Sequence, residues 1–133
     1  MKTPNHRIIF SITALIVLAG ISSLQAAGGT WTNDASGSWG DTANWLGGIV
    51  ADGSGSTADF SSINITADRT VTLDAAHTIS RLNFGDTIPD HSWTLSGVNT
   101  LTLGTSPFIN VFNQSATISS VIAGTAGLAK TGA

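Results

Sequence analysis

Cysteine, tyrosine and glutamate are all missing from the 133 residues. Without Cys there are no disulfides, no thiol chemistry and none of the usual structural zinc sites. Without Glu, and with only Lys130, Arg69 and Arg81 as bases after the first 27 residues, the chain lacks good formers of helix surfaces, which excludes a helical bundle. Eight acids, all Asp, outnumber those three bases, so a nucleic-acid or anionic-membrane face is excluded as well. What fills the space is Thr, Ser and Gly, roughly two residues in five after the leader. Thr fits a pleated surface, whereas Ser, Gly and Asp supply turns, so a single small all-β unit is expected.

The first residues form a separate segment. Lys2, His6 and Arg7 precede an uncharged apolar run from Ile8 to Ile21. Fourteen residues of helix span roughly 21 Å, short of the roughly 30 Å of a bilayer core, so a signal peptide is expected and no stable transmembrane span after its removal. Small residues follow at Ser22-Ser23-Leu24-Gln25-Ala26-Ala27, which puts cleavage after Ala26 or Ala27. A secreted chain without Cys points to a bacterial exported protein. The expected organisation is a signal peptide over 1–27, a Gly/Ser/Trp-rich cap over 28–56 and β-coils over 57–133.

After Thr57 the apolar residues alternate with polar ones in short stretches: Ala58 and Phe60, Val71 and Leu73, Leu82 and Phe84, Trp93 and Leu95, Leu101 and Leu103, Ile109 and Val111, Ala116 and Ile118. Period two is the mark of a half-buried strand. Strands are expected near 57–62, 69–74, 79–85, 92–96, 100–103, 108–112 and 116–122. Val71, Leu73, Leu82, Phe84, Leu95, Leu101, Leu103 and Ile118 are expected to point inward. A recurrence of a little over twenty residues, from Leu73 to Leu95 to Ile118 and from Leu82 to Leu103, favours a parallel β-solenoid; a β-sandwich is the alternative.

Two segments resemble a known family. Thr30-Trp31-Thr32-Asn33, Gly37-Ser38-Trp39 and Asp41-Thr42-Ala43-Asn44-Trp45, continuing to Ala58-Asp59-Phe60, resemble the segment that precedes autotransporter-associated β-strand repeats in large exported bacterial proteins. Val121-Ile122-Ala123-Gly124 and Gly127-Leu128-Ala129-Lys130-Thr131-Gly132-Ala133 resemble the opening of such a repeat. The resemblance implies a right-handed parallel β-helix in an exported passenger or stalk, secreted or associated with the cell surface or outer membrane. It also implies further repeats, so the chain reads as a fragment or a truncated frame, with a last coil expected to be open and a unit marginal alone.

Candidate chemistry is sparse. Trp31, Trp39 and Trp45 are either a cap on the coil stack or a row on which sugars stack; the second would make the protein a carbohydrate-binding module. Trp93, in frame with Leu95, reads as core. The run Asp52–Asp59 lacks calcium-loop spacing and reads as a solvated turn. Asp68-Arg69 reads as a solvated pair, and His77, beside Asp74, as a surface residue in a turn. No Gly-x-Ser-x-Gly elbow is present. A structural or adhesin-like surface protein is therefore expected, with no catalytic residue, metal or cofactor, and with surface glycans or cell-surface proteins as partners. A polysaccharide lyase or hydrolase is the remaining alternative. Expressed in a Gram-negative host, the precursor is expected outside the cytoplasm, shortened by about 26 or 27 residues; an intact Met1 in the mature protein, read by mass spectrometry, would overturn this.

Overall fold

The computed structural model describes residues 26–133. The expected leader therefore lies almost wholly outside the described residues. Among those residues no helix is long and apolar enough to cross a membrane.

Ten strands follow one another: β1 (Gly29–Thr30), β2 (Gly37–Ser38), β3 (Thr57–Phe60), β4 (Arg69–Thr72), β5 (His77–Phe84), β6 (Trp93–Ser96), β7 (Thr100–Val111), β8 (Ala116–Ile118), β9 (Val121–Ala123) and β10 (Ala129–Gly132). Through β8 they alternate between two sheets. One sheet runs β1-β3-β5-β7-β10, with β9 also paired to β7; the other runs β2-β4-β6-β8. Every strand ladder is parallel. A chain that alternates between two sheets and pairs only with its own previous and next passages is a solenoid, here of about three turns. A sandwich would show antiparallel ladders; antiparallel pairing among the described residues is confined to the isolated bridges Ala27–Asp52 and Trp31–Trp45.

Alternation along the strands builds the interior. In β3 and β6 every second residue is buried, and β5 carries His77, Ile79, Leu82 and Phe84 inward. All eight residues expected inside are buried except Ile118, which is half-buried and packs against the core from the edge. The vertical register differs from the simple recurrence. Leu95 pairs with Val71 and Ile118, not with Leu73; Leu82 pairs with Ile109, while Leu103 pairs with Ile79. The cause is a coil of 24 residues between Val71 and Leu95 and an insertion within the β5–β7 ladder. The offset from β5 to β7 is 24 residues up to Ile79–Leu103 and 27 from Arg81–Phe108 onward. The two expected strands at 100–103 and 108–112 are thus one strand with an insertion facing Ser80.

That insertion depends on Gly104. A Cβ there would lie 2.8 Å from the hydroxyl oxygens of both Ser54 and Ser80, closer than real Cβ contacts come. Beyond it, Ser106 takes a left-handed φ of 49° and Pro107 turns back into the core.

The segment Gly28–Ser56 supplies β1 and β2 to the two ladders, together with two short 3-10 turns at Thr42–Asn44 and Leu46–Gly48. This first coil has little aliphatic content, and aromatic rings fill it. Phe60 lies 5.3–5.7 Å from Trp31, Trp39, Trp45, Phe84 and Trp93, centre to centre. Backbone must come close to such large rings. Gly29 does so: a Cβ there would meet Ile49 O at 2.5 Å and Trp45 Cε3 at 2.8 Å.

Phe60→Ala is expected to cost about 3–5 kcal/mol of stability, because the five surrounding rings cannot collapse into the void. Phe112→Ala, which removes an exposed ring, is expected to stay within about 0.5 kcal/mol. Urea titration of both variants checks the contrast; equal losses would contradict the placement of Phe60 at the centre of the interior.

Candidate functional site

The three early Trp lie inside the fold. Trp31 and Trp39 are fully buried and Trp45 is 3% exposed. Each indole N–H donates to a backbone carbonyl: Trp31 to Asn33 at 2.7 Å, Trp39 to Ala51 at 2.9 Å and Trp45 to Trp39 at 2.6 Å. Trp93 is likewise buried and donates to Gly85 at 2.7 Å. Stacking on a sugar requires an open ring face. None of the three offers one, so the carbohydrate reading at Trp31, Trp39 and Trp45 is corrected: these rings occupy the lumen that small residues such as Ala51 and Ala58 leave unfilled.

The acids have a common use. Asp34 accepts the N–H of Thr66 (3.0 Å), Asp52 that of Thr78 (2.9 Å), Asp68 that of Ser92 (2.8 Å), Asp74 that of Gly40 (2.9 Å) and Asp86 that of Ile65 (3.1 Å). In every case donor and acceptor are more than twenty residues apart, on successive passages of the chain. Five of the eight Asp are therefore staples between neighbouring coils at the corners, where the strand ladders stop. Asp59 works locally, accepting from the hydroxyls of Ser61 and Ser62. The solvated turn expected over Asp52–Asp59 is confined to its first half, where Gly53 and Gly55 take positive φ; Ser56 and Ala58 are buried and Asp59 stands in β3.

Two other expectations change. Arg69 pairs with Asp34 of the preceding coil at 2.8 Å, and not with its neighbour Asp68, whose carboxylate accepts the N–H of Ser92. His77 is a buried first residue of β5, 9% exposed, and not a surface residue of a turn. Its ring stacks on Trp39 at 5.5 Å; Nδ1 lies 3.2 Å from Asp52 Oδ2 and Nε2 lies 3.8 Å from Asp74 Oδ1. The ring thus lies between acids of two successive coils, and among the described residues Nε2 has no hydrogen-bond partner.

Asp86, Asp90 and His91 bring ligand-type atoms within 4.8 Å of one another. The buried Asp86 carboxylate is already engaged by the N–H groups of Ile65, Ile88 and His91. Its backbone is clamped to the next coil, its N–H donating to Asn113 Oδ1 and its carbonyl accepting from Asn113 Nδ2, both at 2.9 Å. These contacts reinforce the staple that Asp86 makes to Ile65.

A hollow lies on the outside of the stack. Arg81, Phe108 and Ala129 are register partners on β5, β7 and β10, so they form a row across the outer sheet face. Ser106 and Pro107 of the insertion and Gly127-Leu128 before β10 flank that row, enclosing an open groove of about 640 Å³. Sequence reasoning missed this site. Its only signal was Phe108, an aromatic residue standing on the outward frame between Pro107 and Ile109. Comparison with protein-family models, curated proteins and solved structures returns no match.

The corner carboxyls also set an acid response. For Asp86, burial pushes the pKa up, but the N–H groups of Ile65, His91, Ile88 and Asp90 together outweigh it and hold the carboxyl below 3.8. Asp74 is lowered against the same opposition by the Ser38 hydroxyl, the Gly40 N–H, its own N–H and the His77 ring. Asp34 is lowered chiefly by the N–H and hydroxyl of Thr66, then by Arg69. Unfolded carboxyls take up protons near 3.8 while these folded ones resist. Their stabilisation is therefore complete above that value and is lost as pH falls through the lower folded pKa values. Thermal melts from pH 7 to pH 2 are expected to show a plateau and then a steep decline below about pH 4. Asp86→Ala, which orphans buried N–H groups at about 2 kcal/mol, is expected to lower the plateau by on the order of 10 °C and to flatten the decline. An unchanged profile would contradict the role given to Asp86.

Proposed function

We propose that the chain is a non-catalytic exported surface module, structural or adhesin-like, of the autotransporter passenger type. The observation that carries this reading is the use of its acids. A polysaccharide hydrolase or lyase needs carboxylates gathered at a cleft with freedom to exchange protons or hold a cation. Here five Asp carboxylates accept backbone N–H groups of the neighbouring coil, and the buried His77 lies between two of them. Such groups tie each coil to the next. The apolar run at Ile8–Ile21 and the small residues at Ala26-Ala27 support export, and the two quoted segments support the family reading. The partners of such a module are surface glycans or other cell-surface proteins, and its place is secreted or at the outer membrane.

The test uses the full chain with a C-terminal tag in a Gram-negative host. Removal of the tag by protease added to intact cells, or its recovery from the medium, is the expected outcome, together with no turnover on a panel of acidic and neutral polysaccharides. Retention in the cytoplasm would overturn the export reading. Turnover that disappears in Asp74→Asn or in His77→Ala, with the thermal transition retained, would overturn the non-catalytic one.

A further inference from the structure

The outer groove is not needed by a purely structural module, and its chemistry is specific. We propose that it is a binding site for a small organic anion: a carboxylate, or a sulfonate of like charge, carried on a flat apolar body.

The charge comes first. Of the two Arg after the leader, Arg69 is held by Asp34 at 2.8 Å. Among the described residues Arg81 makes no ion pair. It is exposed, and it lines the groove. Its ladder neighbours are Thr57 on one side and Phe108 on the other, so no acid stands beside it in its row. The nearest acid along β3, Asp59, accepts from Ser61 N and from the hydroxyls of Ser61 and Ser62. In a chain of net charge −3, an uncommitted guanidinium is the one group on this face with a strong preference for an anion. Its planar fork binds a carboxylate through two parallel N–H donors.

The apolar part follows from the neighbours. Phe108 lies one strand further, about 4.8 Å away across the sheet and only half-buried. Leu128 is 48% exposed on the far wall, and Pro107 closes the near one. A rigid planar body a ring or two across can rest on Phe108 between these walls while its carboxylate reaches Arg81. A groove of about 640 Å³ falls within the roughly 300–1,000 Å³ typical of small-molecule sites, which are mostly apolar with a few placed polar groups. A cation would meet Arg81 unfavourably, and a neutral body would leave it unpaired.

The purified full chain, after export, is titrated with 2-naphthoate, with the neutral 2-naphthalenemethanol and with the cationic 2-naphthylmethylamine, by calorimetry and by amide-resolved NMR. Saturable 1:1 binding of 2-naphthoate is expected, with shifts centred on Phe108, Gly127, Leu128 and Ala129, weakening as salt is raised. The alcohol and the amine are each expected to bind at least about tenfold more weakly. Arg81→Gln, at an exposed position that folding does not rely on, is expected to cost the same factor for 2-naphthoate and nothing for the alcohol. Phe108→Ala is expected to weaken all three.

Absence of saturable binding of 2-naphthoate at millimolar concentration, equal affinity for acid and alcohol, or shifts located elsewhere would each overturn the proposal. The NMR mapping on the unaltered chain stands even if a variant fails to fold. None of these outcomes bears on export or on turnover, so the proposed function and the groove stand or fall separately.

Discussion

Phe60 is the contact on which the stack depends. Its ring lies within 5.7 Å, centre to centre, of five other aromatic rings. Trp31, Trp39 and Trp45 come from the first coil, and Phe84 and Trp93 from later passages. A solenoid unit of about a hundred residues has a thin interior and little area to bury. Large rings raise the area buried per residue, and their edge-to-face packing adds to it. The early Gly-rich segment is legible in these terms. Gly29 admits backbone against Trp45, and every buried indole N–H finds a carbonyl, so the cluster carries no unpaired donor to offset its gain.

Ladders bond only the strands; corners must be held by something else. The chain uses Asp for this and no Glu at all. Successive coils lie about 4.8 Å apart, a gap that the short Asp side chain spans with few rotamers to freeze, whereas Glu would lose an additional torsion. An acid also gains more than a neutral acceptor from each N–H. Five of the eight Asp are thus committed to holding one coil on the next. The same acids leave the module dependent on pH, since staples that lower a carboxyl's pKa are undone by its protonation.

The groove arises where this regular stacking is interrupted. Insertion of residues opposite Ser80 displaces β7 by three positions relative to β5 and throws Ser106 and Pro107 outward and back. Without it, Arg81 and Phe108 would lack the near wall of the groove, leaving only Gly127 and Leu128 beside them. An irregularity within one strand ladder therefore turns a repeating surface into a local concavity beside the Arg81 guanidinium.

Composition and alternation in the sequence determined the all-β class and seven of the eight inward residues, because period two decides which side chains face the lumen wherever a strand forms. Alternation fits a solenoid and a sandwich alike, and the parallel ladders decided for the solenoid. Ile118 is half-buried because it lies on an edge, a matter of stacking and not of alternation. The vertical partners Val71–Leu95 and Leu82–Ile109 were not legible, since they depend on the coil length and on the insertion, which alternation leaves free. The fate of the Trp residues was likewise left open: a Gly-rich segment can carry indoles on its surface or under it, and only burial against Phe60 decided between the two. Asp34 with Arg69, Asp52 with His77, and Arg81 beside Phe108 are all contacts between residues a full coil apart. Such pairs exist only once the coils are stacked, which is why the tertiary structure alone decided the site.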